Sequence, residues 1–384
     1  MKRYLESYIQ ADLKKKMVFI GGPRQVGKTT LAKNIATNYQ NPTYLNWDSR
    51  DDKKSILSNT FVWGTELVIF DEIHKYRDWK NHIKGIYDTR KDDFDILVTG
   101  SARLDLYQKW WDSLLGRYFY FRLHPLSIAE LIGKPYIREL GMQYVDSVDQ
   151  TIWEDLVQFG GFPEVYYSQD IRDLKRWHND REKRLIQEDI RDVSTIRDLS
   201  TLEILASMLP TKVGSLFSIN SITEDLRVSH KTLSHWVDML EQMYFCYRIY
   251  PYQSSHIKLL RKEPKIYLWD YTGIDDIGSK YENIVANHLL KYTHFLTDVY
   301  GINAELYFLR DREQREVDFC IVTDGKIECI IEVKASKWSI SPHLRYFRDK
   351  LQAPAYQIVF ESGIDEDHDG IRMMSADRFL SGLV

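Results

Sequence analysis

Apolar runs of four or five residues recur through the first third of the chain, each closing on glycine or polar residues. Met17-Val18-Phe19-Ile20 enters a glycine-rich stretch, after which Leu31, Ile35 and Ala36 keep helical spacing, so the pattern predicts strand, loop, helix. Tyr44-Leu45-Asn46-Trp47, Leu67-Val68-Ile69-Phe70, Asp95-Ile96-Leu97-Val98-Thr99 and Tyr118-Phe119-Tyr120-Phe121 read as further strands. Consecutive apolar positions belong to strands covered on both faces. Five of them with helical links predict a parallel, doubly wound sheet over residues 1 to about 130.

The period changes further along. Ile152, Leu156 and Phe159 share a helix face that Gly160-Gly161-Phe162-Pro163 interrupts, and 174–190 reads as a charge-rich helix. Segments 218–226 and 228–237 read as helix, turn, helix, with Leu233, Val237 and Leu240 on one face and a strand over 245–250. That order resembles a winged helix. A helix over 279–295 carries Glu282, Val285, Leu289 and Leu290. Strands over 305–309, 317–322, 326–333 and 356–360 follow, with a helical stretch near 344–350.

Gly22 to Thr29 fits G-x-x-x-x-G-K-S/T in full, in the strand-to-helix setting that such a phosphate loop requires. Its glycines let backbone amides turn towards a phosphate, Lys28 reaches the β- and γ-phosphates, and the Thr29 hydroxyl ligates magnesium. Gly22, Pro23, Arg24, Gln25, Val26, Gly27, Lys28, Thr29 and Thr30 are therefore the expected nucleotide contacts, with ATP and magnesium as cofactors. The strand ending in Asp71-Glu72 supplies the second half of the site. Asp71 holds the hydrated metal, and Glu72 polarises the attacking water as general base. Thr99 and Ser101 fall at the same end of the sheet, beside the γ-phosphate.

Composition removes other classes. With 384 residues, 43% hydrophobic and 28% charged, the chain holds two or three packed domains and is not disordered. No apolar run approaches the roughly 20 residues of a membrane span, and MKRYLESYIQ has no signal-peptide core, so a cytoplasmic location and no membrane partner are expected. Cys246, Cys320 and Cys329 read as reduced core residues. The net charge of -4 confines any nucleic-acid surface to a local patch.

Gly-Pro-Arg-Gln-Val-Gly-Lys-Thr-Thr at 22–30, Phe-Asp-Glu-Ile-His at 70–74, Thr-Gly-Ser-Ala-Arg at 99–103 and Leu-Gly-Arg followed by Leu-His-Pro-Leu-Ser within 115–127 resemble the bacterial and archaeal AAA-type ATPases that carry a C-terminal domain of unknown function. Gly-Gly-Phe-Pro-Glu at 160–164 and Pro-Lys-Ile-Tyr-Leu-Trp-Asp-Tyr-Thr-Gly at 264–273 extend the resemblance over nearly the whole chain. It implies one more strand between the loop strand and the Asp-Glu strand. It also places Arg117 where the family's Gly-Arg pair stands, either as a finger reaching a neighbouring subunit's γ-phosphate in a homo-oligomer or in a surface salt bridge, with Arg103 as the next choice.

Helix, three strands, helix, strand in the last third resembles the PD-(D/E)XK nuclease fold, its motif standing here as Glu282, Asp318 and Glu332-Val333-Lys334. The resemblance implies carboxylates holding magnesium on a scissile phosphate, with Lys334 orienting water. Alternation asks for Asp318, Glu332 and Lys334 on one face. A three-residue loop Thr323-Asp324-Gly325, pairing Val322 with Lys326, provides it.

The expected fold class is thus α/β: a doubly wound P-loop ATPase domain over 1–130, a helical lid over 131–215, a winged-helix module over 216–275 and a PD-(D/E)XK-nuclease-like domain over 276–384. In the winged-helix reading Ser229, His230, Lys231, Ser234 and His235 line a recognition helix and the basic stretch 256–262 grips DNA phosphates; a protein-packing lid is the other reading. ATP hydrolysis coupled to DNA handling, with nuclease activity in the C-terminal domain, is the leading expectation. A nucleotide-dependent switch whose C-terminal half binds protein and cuts nothing is its rival.

Overall fold

The run entering the glycine loop becomes β1 (Met17–Gly21), buried at every position. It pairs with β4 (Asp95–Thr99) on one side and β5 (Tyr118–Arg122) on the other; β2 (Pro42–Asn46) and β3 (Leu67–Asp71) complete a sheet of order β2-β3-β4-β1-β5 in which every pairing is parallel. β4 thus separates the loop strand from the Asp-Glu strand. Parallel strands need crossover connections and cover on both faces. Helices α1 (Glu6–Leu13), α2 (Lys28–Ala36), α3 (Arg50–Ser58) and α4 (Trp79–Arg90) flank the sheet. Phe19, Phe70 and Val98 pack with Ile56, Trp79 and Ile83, while Val18, Ile20, Ile69 and Leu97 are equally buried. The result is an α/β unit with a P-loop ATPase-like parallel sheet.

The computed structural model describes residues 1–100, 114–134, 144–190, 198–252, 262–336 and 339–384. Two compact units emerge, Met1–Pro125 and Leu126–Val384. Ser101, Arg103 and residues 256–261 of the basic stretch lie outside the described residues.

The second unit is built on an eight-stranded sheet, order β12-β13-β11-β10-β9-β8-β6-β7. Its strands are β6 (Cys246–Pro251), β7 (Lys265–Leu268), β8 (Ala304–Arg310), β9 (Glu316–Thr323), β10 (Lys326–Lys334), β11 (Ala355–Val359), β12 (Asp365–His368) and β13 (Ile371–Ser375). The helix Ile277–Tyr300 packs on β8, β9 and β10, capped by Asp276 at its start and stopped at Gly301 in the left-handed region. The helix Pro342–Leu351 contributes Leu344 and Phe347 to a core with Cys320, Val322 and Ile330.

The expected wing, 256–262, falls outside the described residues but for Lys262. The helices Ile219–Leu226 and His230–Gln242 form as a pair, and β6 and β7 follow them. These strands pair with each other and, through Tyr250 and Pro251 against Tyr307 and Phe308, extend the C-terminal sheet. The β9–β10 connection differs from the expected one. Thr323 pairs with Lys326 and Val322 with Ile327, so the turn has two residues, Asp324 and Gly325, both at positive φ (48° and 78°). The one-residue shift comes later, where Glu328 bulges between Ile327 and Cys329. Beyond it Ile330 faces Cys320 and Ile331 faces Phe319, and the next step sets Glu332 opposite Asp318. Both carboxylates share a face, but a bulge places them there.

Pro264 to Gly273 joins the helical part of this unit to its sheet. Asp270 accepts from His178 Nε2 at 2.9 Å and from the Thr272 hydroxyl at 2.7 Å, with Arg181 at 3.8 Å. Tyr271 donates to the Leu156 carbonyl at 2.7 Å. At Gly160 (φ 75°) a Cβ would stand 2.8 Å from Thr272 Cγ2, so the helix Gln150–Phe159 can end against this segment only through glycine. Burial raises the Asp270 carboxyl, but His178 and Arg181 outweigh it and hold the group down at about 2. A depressed carboxylate stabilises the fold above its unfolded value near 3.8 and loses that contribution as pH falls towards 2. Asp270→Asn should therefore destabilise the chain by about 3 kcal/mol at pH 7, and its deficit should shrink between pH 4 and 2, read from denaturant midpoints.

Candidate functional site

The phosphate loop is shaped by two glycines. Gly22 takes φ 139°, and a Cβ there would meet the Leu123 carbonyl oxygen at 2.4 Å, a contact no other residue tolerates. Gly27, at φ 98°, is the N-cap of α2 and starts that helix with no side-chain cap, leaving its first amides to the loop. The buried Lys28 donates through Nζ to the carbonyls of Gly22 at 2.9 Å and Pro23 at 2.7 Å. Arg3 braces the loop from outside, donating to the Val26 carbonyl at 2.8 Å and to that of His124 at 2.5 Å. Pro23 and Val26 are buried, Arg24 and Gln25 half-buried, and Thr30 exposed at the start of α2.

Asp71, at the end of β3, is the centre of the site. Its Oδ2 accepts from Thr29 Oγ1 at 2.9 Å and from the Tyr44 phenol at 2.5 Å, and its Oδ1 accepts from Thr99 Oγ1 at 2.6 Å. Parallel pairing explains the convergence: Asn46 and Thr99 flank Asp71 in register, and Tyr44 lies two residues back on β2. All three donors are neutral, and among the described residues no lysine or arginine pairs with Asp71. No cation cancels this carboxylate, and together with the Thr29 hydroxyl it fits a hydrated divalent cation. Thr99, expected beside the γ-phosphate, is fully buried and turned to Asp71.

Glu72 adopts the left-handed region (φ 57°) with its amide donating to the Thr99 carbonyl at 3.0 Å. Glu72 Oε2 lies 3.4 Å from Lys75 Nζ and 3.6 Å from His74 Nε2. Arg117 forms a two-point pair with Asp88 of its own chain at 2.7 and 3.1 Å. Tyr44 was not singled out from the sequence. It lies in an ordinary strand pattern, and only the pairing of β2 with β3 brings its hydroxyl to Asp71.

A second group of carboxylates gathers in the C-terminal unit. Glu282, from the helix Ile277–Tyr300, and Asp318, from β9, each approach Lys265 Nζ, at 3.1 and 3.3 Å; Glu316 does so at 2.8 Å. Asp318 Oδ2 accepts from the Val333 amide at 2.9 Å, and Tyr267 donates to Glu282 at 2.6 Å. Glu332, 5% exposed, pairs with Lys334 through Oε1 at 2.7 Å, and its Oε2 has no hydrogen-bond partner. Burial, then repulsion from Asp318, pushes the carboxyls of Glu282 and Glu332 up. Burial lowers Lys265, but the acids around it reverse this and hold its ammonium above its ordinary range. Sequence reasoning brought Glu282, Asp318, Glu332 and Lys334 together but missed Lys265. Among the described residues, no three His, Cys, Asp or Glu side chains are arranged to hold a metal ion. The expected metal position is taken up by an ammonium group, so this centre does not fit a divalent cation as it is folded.

Residues 14–132 match the family model described as an AAA domain, while 150–274 and 277–377 each match a domain of unknown function, DUF8612 and DUF4143. An uncharacterized protein of Methanocaldococcus jannaschii is 25% identical over 390 residues, covering 88% of this chain and 79% of its own. Among solved structures, the chain is similar to a Walker-type ATPase of Pyrococcus abyssi (TM-score 0.43, 14% identity, 69% of this chain and 92% of that one). It is also similar to the RuvB Holliday junction branch migration motor of Thermotoga maritima (TM-score 0.32, 20% identity, 64% and 87%). At these scores neither likeness bears on activity. The N-terminal region is an AAA-type P-loop ATPase domain.

Proposed function

We propose that the chain binds ATP with magnesium and hydrolyses it at the loop 22–30, and that its C-terminal unit couples turnover to the handling of DNA. The observation that carries the first part is the Asp71 carboxylate, bonded only by neutral donors beside an intact phosphate loop. On binding, Lys28 exchanges its two carbonyl partners for phosphate oxygens, and the loop amides and the start of α2 supply further donors. Thr29 and Asp71, now hydrogen-bonded to each other, would hold the hydrated metal through hydroxyl and carboxylate. Magnesium, when bound, neutralises charge on the β- and γ-oxygens. Glu72 accepts the proton of the attacking water, and Lys75 and His74 fix where its carboxylate rests.

Support for DNA handling comes from the helix His230–Gln242. His230, Lys231 and His235 are exposed while Leu233, Trp236, Val237 and Leu240 face inwards, and Lys262 is exposed ahead of β7. Cations and imidazoles on one helix side suit phosphate contacts. The exposed Ser229 caps this helix, its hydroxyl accepting from the Thr232 amide, and Ser234 is half-buried. The rival reading, a nucleotide-dependent switch whose C-terminal half binds protein and cuts nothing, is favoured by Lys265 standing among the nuclease-like carboxylates. Turnover and cleavage measured with duplex, single-stranded and branched DNA separate the two. Stimulated turnover without cleavage supports DNA handling, whereas turnover indifferent to every DNA together with no DNA binding supports the protein-binding switch.

Three outcomes are expected at the nucleotide site. Lys28→Ala should abolish ATP binding; Glu72→Gln should bind ATP and hydrolyse it about 100-fold or more slowly, and wild-type turnover by Glu72→Gln would remove the base assignment. Tyr44→Phe should raise the magnesium concentration for half-maximal turnover about tenfold while metal-free nucleotide affinity stays unchanged, since a hydrogen bond to a charged group is worth about 1.5 kcal/mol or more. If Arg117 leaves Asp88 to act on a neighbouring subunit, specific activity should rise with protein concentration, and Arg117→Ala mixed with Lys28→Ala should regain turnover. Concentration-independent activity with no regain would assign Arg117 to its own chain's salt bridge.

A further inference from the structure

Lys265 is 2% exposed, and its Nζ reaches three carboxylates from three elements: the helix carrying Glu282, and Glu316 and Asp318 of β9. Its backbone is fixed as firmly as its head. Asn283 bonds both the amide and the carbonyl of Leu268, each at 2.8 Å, so the edge strand β7 is docked on that helix through the residue next to Glu282. Tyr267, one residue on, donates to Glu282 at 2.6 Å. Behind Glu282, Gly214 (φ 73°) packs so closely that a Cβ would stand 2.9 Å from Oε2. The acid cannot retreat from the ammonium on that side.

We infer that Lys265 is the resident cation of the C-terminal carboxylate centre and that its ammonium keeps divalent metal out. This rests on reading the centre as the nuclease-like site of that unit. A divalent ion binds carboxylate oxygens at about 2.0 to 2.6 Å and brings two charges. Here the oxygens of Glu282 and Asp318 that would receive it already enclose a positive charge, and a second cation beside Lys265 would be repelled in surroundings that water screens little. Removing one partner of a buried ion pair leaves the other charge uncompensated. Without Lys265, no ion pair among the described residues reaches Glu282 or Asp318; Arg310 pairs with the far oxygen of Glu316, and Lys334, paired with Glu332, is the one other cation whose charge the two acids feel. That deficit, together with the unbonded Glu332 Oε2, is what a divalent cation would fill.

Mn2+ alone, with no nucleotide, is the probe. The full chain carrying Asp71→Asn, which silences the loop site, is compared with the same chain also carrying Lys265→Met, and with a third form adding Asp318→Asn. Free Mn2+ counted by electron paramagnetic resonance should show no C-terminal site in the first, one site at least tenfold tighter in the second, and loss of that site in the third. Fe2+ with peroxide and ascorbate should cut the backbone near 318 and 332 only in the Lys265→Met form. Equal Mn2+ binding with cutting in the form that keeps Lys265 overturns the inference, as does a folded Lys265→Met chain that gains no site. Should Lys265→Met fail to fold, the form that keeps Lys265 decides alone: a bound ion with cutting at these strands refutes, and absence of both supports. Gain of metal with no cleavage of any DNA leaves the inference standing and removes the nuclease reading instead.

Discussion

A carboxylate buried at a strand end must be hydrogen-bonded, and the kind of donor decides what the site can do next. Asp71 is bonded by three hydroxyl groups, from Thr29, Tyr44 and Thr99, which satisfy its lone pairs without cancelling its charge. Such a group remains an attractive partner for a cation. Asp318 and Glu282 are paired with an ammonium, which satisfies and neutralises at once. The two units thus present similar acid-bearing strands with opposite consequences, one open to a charged ligand and the other closed by its own lysine.

Backbone conformation prepares both places. Gly22 and Gly27 hold positive φ in the loop because the Leu123 carbonyl crowds one and the start of α2 turns sharply at the other. Glu72 accepts the same strained region without being glycine, which costs about 1 kcal/mol or more. In the C-terminal unit the bulge at Glu328 does comparable work. Without a shifted register the residue facing Asp318 would be Ile331, not Glu332.

The phosphate loop, the Asp71-Glu72 pair and all five strands around them are legible in the sequence because each is contiguous: a short motif following an apolar run. Tyr44 and Lys265 are not legible for the converse reason. Each lies in a strand of ordinary composition, and each meets its carboxylate only through pairing or docking with segments distant in sequence. The Asp324-Gly325 turn is marked by residue type, whereas the bulge is not, since alternation is compatible with a long loop or with a late shift. That β6 joins the C-terminal sheet is not legible either, because residue type marks strand character and not which sheet a strand joins.

One stretch, Pro264 to Gly273, concentrates these dependencies. Lys265 and Tyr267 point to the Glu282 side of β7, while Ile266 and Leu268, both nearly fully buried, fill the core between. Three residues further, Asp270 draws His178 and Arg181 of the helix Ile171–Arg184 to the same segment, and Tyr271 and Thr272 tie down the chain around Leu156 and Gly160. A cation at one end and an anion at the other are each paired with elements distant in sequence, so neither pair can form unless the intervening strand is docked. The segment therefore behaves as a single fastening. Asn283, bonding both backbone groups of Leu268, holds β7 between these two ion pairs, so both depend on the same docked strand.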